Sequence, residues 1–158
     1  ELMLRRAVYK PATDAAKNLW FKNGGRPTYE AWKKLTLLEQ VEIIYKLQRC
    51  PMNTQIEIGG KTFLLAHGSP MELFDPATSK FSTPQMHTIW AHIDPEDKMP
   101  KGKMVIFCHT PTFIYQPNVP MAVWVGKQKI AIDCGSGLEY GGRLACLRLD
   151  DMRVFYSA

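Results

Sequence analysis

The feature that most constrains this chain is a change of hydrophobic period at Cys50-Pro51. Before it, apolar residues recur at helical spacing. After it, they run together or alternate as strands do. In ELMLRRAVYK, Leu2, Leu4, Ala7 and Val8 suit one side of a helix already under way, with no cap before it. Asp14 is placed to cap AAKNLWFK, which Asn23-Gly24-Gly25 would stop, and Thr28 to cap YEAWKK. Thr36 and Glu39 have the spacing of a capping box at the head of LLEQVEIIYKLQR. Along that helix Leu38, Val41, Ile44 and Leu47, or Leu38, Val41 and Tyr45, line one side.

Beyond Pro51, TQIEI and KTFLLA flank Gly59-Gly60, the pattern of a hairpin with a two-residue turn. Residues 68–102 are loop-rich, with one short helix or strand expected around Pro84–Ile93. MVIFC reads as a buried strand. MAVWV and QKIAID form a second hairpin turning at Gly126-Lys127. ACLRL and MRVFYS form a third, joined at Asp150-Asp151. Helices first and strands after predict an α+β protein with a mainly antiparallel or mixed sheet.

The 158 residues, 46% hydrophobic and 22% charged, suffice for a single domain over 1–158 with its own core. No apolar run is long enough to cross a bilayer, and nothing resembles a signal peptide, so no membrane partner is expected. Cys50, Cys108, Cys134 and Cys146 lie far apart with no C-x-x-C pair, which argues for free thiols and a cytoplasmic setting. The formal charge of +5 is scattered. Lys98, Lys101 and Lys103 sit beside Asp94, Glu96 and Asp97, without the aromatic interleaving of a single-strand binding surface, so no nucleic-acid partner is expected.

Two stretches share one form. KTFLLAHGSP and KMVIFCHTPT each run from a lysine through apolar residues to a histidine, then to a break at proline. A side chain at the carboxyl end of a strand lies where open sheets gather ligands and catalysts. His67 and His109, on neighbouring strands, could converge on one cation, since neutral imidazole ligates zinc, iron and manganese. The alternative is two core histidines, each bonded to a loop carbonyl. A two-metal hydrolytic centre also needs bridging carboxylates. Asp133 ends another apolar strand, but suits a turn cap on the glycine-rich segment after it. Asp94, Asp97, Asp150 and Asp151 read as solvated turns. Trp90 suits the core, and His87 an ordinary surface or loop position.

Four segments in order resemble the carboxyl-terminal half of the calcineurin-like metallophosphoesterases, of the bacterial serine/threonine protein phosphatase type. IGGKTFLLAHGSP resembles the strand that ends in a metal-ligand histidine, and TIWAHI the tryptophan segment that usually carries a phosphate-binding arginine. MVIFCHTPT is similar to the Gly-His-Thr strand end, and IAIDCGSGLEYGGRLACLRLDD to the closing Ile-Asp-Thr-Gly…Gly-Gly-x-Leu run. The resemblance spans most of residues 36–150. It implies that His67 and His109 ligate one of two divalent ions (manganese, iron or zinc) and that His92 stands at the phosphate-binding position. The implied chemistry is attack of a metal-bound hydroxide on a phosphate monoester, first a phosphoprotein, with diadenosine tetraphosphate as the family's other substrate class. The implied fold is the carboxyl-terminal portion of a four-layer αββα sandwich.

This sequence departs from the family in three places. His92 replaces the arginine, Cys108 replaces the glycine before the last histidine, and Gly-Ser follows His67 in place of Ala-Gly. The family's Gly-Asp-x-His-Gly, Gly-Asp-x-x-Asp-Arg-Gly and Gly-Asn-His motifs do not occur in these residues. The chain is therefore expected to be a fragment, inactive alone, with no catalytic residue of its own. A rival expectation is a non-catalytic binding or assembly module, from truncation or a pseudoenzyme, that dimerises or takes a partner through an exposed sheet.

Overall fold

The computed structural model describes residues 2–8, 13–139 and 141–157. Glu1, Tyr9 and Lys10 of the first expected helix, and Tyr140 of the glycine-rich run, lie outside them. The chain divides into two compact units, Glu1–Cys50 and Pro51–Ala158. Among the described residues these hold five α-helices, a mixed five-stranded sheet and a two-stranded sheet, an α+β architecture.

The first unit is helical: α1 Leu2–Val8, α2 Asp14–Lys22, α3 Arg26–Trp32 and α4 Leu37–Arg49. Its core gathers Leu4, Ala7, Trp20, Trp32 and Ile44. The capping box of α4 forms as expected, Glu39 N donating to Thr36 Oγ1 while Thr36 N donates to the Glu39 carboxylate. Two caps differ from expectation. Thr13, not Asp14, caps α2, its hydroxyl accepting from Ala16 N at 3.2 Å. Gly25, not Thr28, opens α3, because a Cβ there would lie 2.2 Å from the Trp20 indole nitrogen. With that contact setting the entry, Pro27 falls in the first turn, where its missing N–H is harmless. On α4 the packed side is Ile43, Ile44 and Leu47, while Leu38 and Val41 are exposed. Gln40 explains the rotation: its amide donates to the carbonyls of Trp32 and Leu35, turning that edge of the helix inward.

The second unit is built on strands β1 Asn53–Ile58, β2 Lys61–Ala66, β3 Lys103–Phe107, β4 Trp124–Gly126 and β5 Lys129–Ala131, in the spatial order β1-β2-β3-β5-β4. β1 and β2 are the expected hairpin, with Gly59 and Gly60 at φ 58° and 74°, positive angles that glycine adopts freely. β2, β3 and β5 run parallel, and β4 pairs antiparallel with β5. The second hairpin turns at Lys127-Gln128, one residue later than expected. Gly126 belongs to β4, where a side chain would collide with the Trp124 ring at 2.4 Å. Helix α5, Pro84–Trp90, lies in the crossover from β2 to β3. β6 Ala145–Leu147 and β7 Val154–Tyr156 form the small sheet.

Strand alternation sorts the core onto two faces. Leu64, Val105, Phe107 and Ala131 pack on one face with Ile93 and Met99 from the crossover. Phe63, Ile106 and Ile130 pack on the other, against Leu147, Leu149 and Met152. Each such fully buried aliphatic or aromatic side chain contributes about 1.5–3 kcal/mol. One charged group is buried with them. Lys129 is 1% exposed, and its ammonium donates to the carbonyls of Asp94, Pro95 and Asp97 at 2.7, 2.7 and 2.6 Å. It ties the loop after α5 to the start of β5. All four cysteines are free thiols, and no helix among the described residues is long and apolar enough to cross a membrane.

Candidate metal and phosphate site

Three histidines meet at the carboxyl ends of β2 and β3. Parallel neighbours in a sheet lie about 4.8 Å apart, and the ladder continues past the named strands, Cys108 N donating to His67 O at 2.9 Å. His67 and His109 therefore emerge side by side, with ring centres 5.0 Å apart. His92, just beyond α5, brings its ring centre to 5.6 Å from that of His109. Gly68 makes this approach possible. Its amide donates to Thr88 O, and a Cβ there would sit 2.7 Å from Ala91 O and 2.9 Å from Thr88 O. Only glycine lets the tip of β2 rest on the last turn of α5.

His109 adopts φ 70°, in the left-handed region. A non-glycine residue held there is strained, and such strain gathers at functional sites. Among the described residues, no hydrogen bond engages a ring nitrogen of His92 or His109, which sets both apart from core histidines bonded to loop carbonyls. His67 Nδ1 lies 3.4 Å from Cys108 Sγ, leaving Nε2 without a hydrogen bond. Burial lowers the pKa of His109, and the neighbouring His67 and His92 push it the same way against an opposing pull from Asp133. The neutral imidazole is thus the favoured form, and it is the form that ligates metals. Burial and Asp133 raise the pKa of Cys108, so a protonated thiol lies beside His67 Nδ1.

Asp133 caps its turn as expected, Oδ1 accepting from Gly135 N at 3.0 Å. Two side chains differ from expectation. Trp90 is half-buried, and its ring stands edge-on to His109 at 5.7 Å, outside the core clusters. His87 is no ordinary surface residue. It is half-buried on α5 between Phe74 and Phe81, and its Nε2 is 2.9 Å from Ser69 Oγ. The local sequence gave no sign of this, because Ser69 lies outside the helix.

The spacing of His67 and His109 fits a shared ion. With metal–nitrogen bonds of about 2.1 Å, each ring centre lies roughly 3.2 Å from the metal, and a tetrahedral angle then separates the two centres by about 5 Å. No third donor completes the set: among the described residues no group of three or more His, Cys, Asp or Glu side chains is placed to hold a metal. The structure thus sets the His67 and His109 rings 5.0 Å apart, with the His92 ring 5.6 Å from that of His109. No family model matches this chain, and no curated protein matches it.

Proposed function

We propose that these residues form the histidine-bearing part of a metal-dependent phosphatase, the carboxyl-terminal portion of an αββα metallophosphoesterase that hydrolyses phosphate monoesters. The observation that carries this reading is the 5.0 Å approach of the His67 and His109 rings at adjacent parallel strand ends. Divalent ions bound there supply an activated water and neutralise charge on the phosphoryl oxygens. This chain's own residues hold one ion through His67 and His109 and offer the exposed His92 as a phosphate donor. An imidazole cannot make the bidentate fork of arginine, so His92 grips phosphate more weakly and according to its charge state. Phosphoprotein is the first substrate class, and a dinucleoside polyphosphate the second.

The decisive experiment is hydrolysis of p-nitrophenyl phosphate with added manganese, comparing the complete gene product with its His109→Ala variant. Loss of the rate in the variant supports the assignment, and equal rates remove His109 from the mechanism. For the 158-residue chain alone, two imidazoles are too few to retain an ion through gel filtration. One equivalent of manganese or zinc retained per chain would show that it holds a complete site.

A second reading, a binding or assembly module, draws on the exposed Leu37, Leu38, Val41 and Tyr45 of α4, which are 75, 82, 58 and 55% accessible. Sedimentation that stays monomeric at all concentrations removes self-association from that reading.

A further inference from the structure

The Ser69–His87 pair has no place in the proposed reaction, yet it adjoins the site on both sides. Ser69 follows Gly68 and His67 at the tip of β2. His87 lies in α5, the helix that leads into Trp90 and His92. The pair has the spacing of a nucleophile and its base, 2.9 Å from Ser69 Oγ to His87 Nε2. It cannot serve as one, because Ser69 is 3% exposed and His87 Nδ1 is buried with no carboxylate or other partner to orient it. What the pair does is mechanical. Ser69 and the Gly68 amide both bond the β2 tip to α5, through His87 and through Thr88 O. The rings of Phe74 and Phe81 flank His87 and leave its imidazole one hydrogen-bond partner.

We infer that His87 is a positioning residue: its bond to Ser69 latches α5 onto the β2 tip and thereby holds His92 and Trp90 against His109, beside His67. This inference rests on the proposed site for its meaning in catalysis, but the latch is measurable without any activity.

The test is amide hydrogen exchange of Gly68, the donor to Thr88 O, in the 158-residue chain. The variants are His87→Phe, which fills the aromatic niche without the bond, Ser69→Ala, and His87→Gln, whose amide reaches Ser69 from the same place. Loss of one hydrogen bond raises the local opening constant about fivefold. Gly68 exchange is therefore expected to quicken about fivefold in His87→Phe and Ser69→Ala and to stay near wild type in His87→Gln. The Val105 and Ile132 amides of the sheet should remain unchanged in all three, which separates the latch from general loosening. Through-space contacts between the His92 and His109 rings should weaken in the first two variants only. Unchanged Gly68 exchange in His87→Phe and Ser69→Ala, or His87→Gln exchanging as fast as His87→Phe, overturns the inference. Absence of phosphatase activity from the complete gene product, by contrast, removes the phosphatase reading and leaves the exchange result standing.

Discussion

The strain at His109 makes a prediction whose sign depends on the backbone. At φ 70°, any side chain is disfavoured relative to glycine. The left-handed region costs a residue with a Cβ about 1–2 kcal/mol, and the extra freedom of glycine in the unfolded chain offsets roughly 0.4–1 kcal/mol of that gain. His109→Gly should therefore be more stable than His109→Ala by about 0.8 kcal/mol. Both variants lose the ring, so its contacts with His67, His92 and Trp90 cancel in the comparison. With a urea dependence of about 2 kcal/mol per molar, the glycine variant should unfold at a midpoint about 0.4 M higher. The assay is urea unfolding followed through the amide signals of Val105 and Ile132, because Trp20 and Trp32 would report the first unit. His67, absent from the positive-φ residues, is the control. There alanine should exceed glycine by about 0.5–1 kcal/mol. An alanine variant at 109 as stable as the glycine variant would refute the argument, since it would mean that the backbone is not held left-handed there.

Three further perturbations bear on the same unit. Lys129→Met keeps the buried stem but leaves the carbonyls of Asp94, Pro95 and Asp97 without their donor, and should lower unfolding stability by about 3 kcal/mol in urea titration. Gly68→Ala drives a methyl against Ala91 O and Thr88 O, and should cost about 2 kcal/mol while parting the His92 and His109 rings, seen as lost ring-to-ring contacts. His87 is lowered below 6.5 by burial, and His109 is lowered too, so the unfolded chain takes up protons first as pH falls. The contribution of these two histidines to stability should be full above pH 6.5, decline as pH drops from there towards their folded pKa values, and level off below them. Urea midpoints across this range should show a smaller decline for His87→Gln.

The parts of the fold legible in the sequence were those whose signals are local. Thr36 and Glu39 form their box within one turn, and Gly59-Gly60 closes a hairpin within its own two residues. The shared strand-histidine-break pattern likewise pointed to the two imidazoles that lie 5.0 Å apart, because a strand followed by a tight turn places its last side chain at the sheet rim. What stayed hidden depends on partners distant in the chain. Lys129 reads as one more polar residue at the edge of an apolar run, and nothing marks the three carbonyls, more than thirty positions earlier, that it binds. The pairing of His87 with Ser69 crosses from helix to strand tip. Thr28 looked like a helix cap because threonine favours that position, but the close approach of Trp20 to Gly25 set the boundary earlier.

The parallel pairing of β2 with β3 also orders events in time. The hairpin of β1 and β2 needs only a two-residue turn, whereas Phe63 meets Met104 only after residues 67–102 have closed into a crossover. Such distant pairings raise the folding barrier through the entropy of closure. His67 therefore stands beside the early hairpin alone, and the His109 ring reaches its place 5.0 Å away only when the crossover has docked.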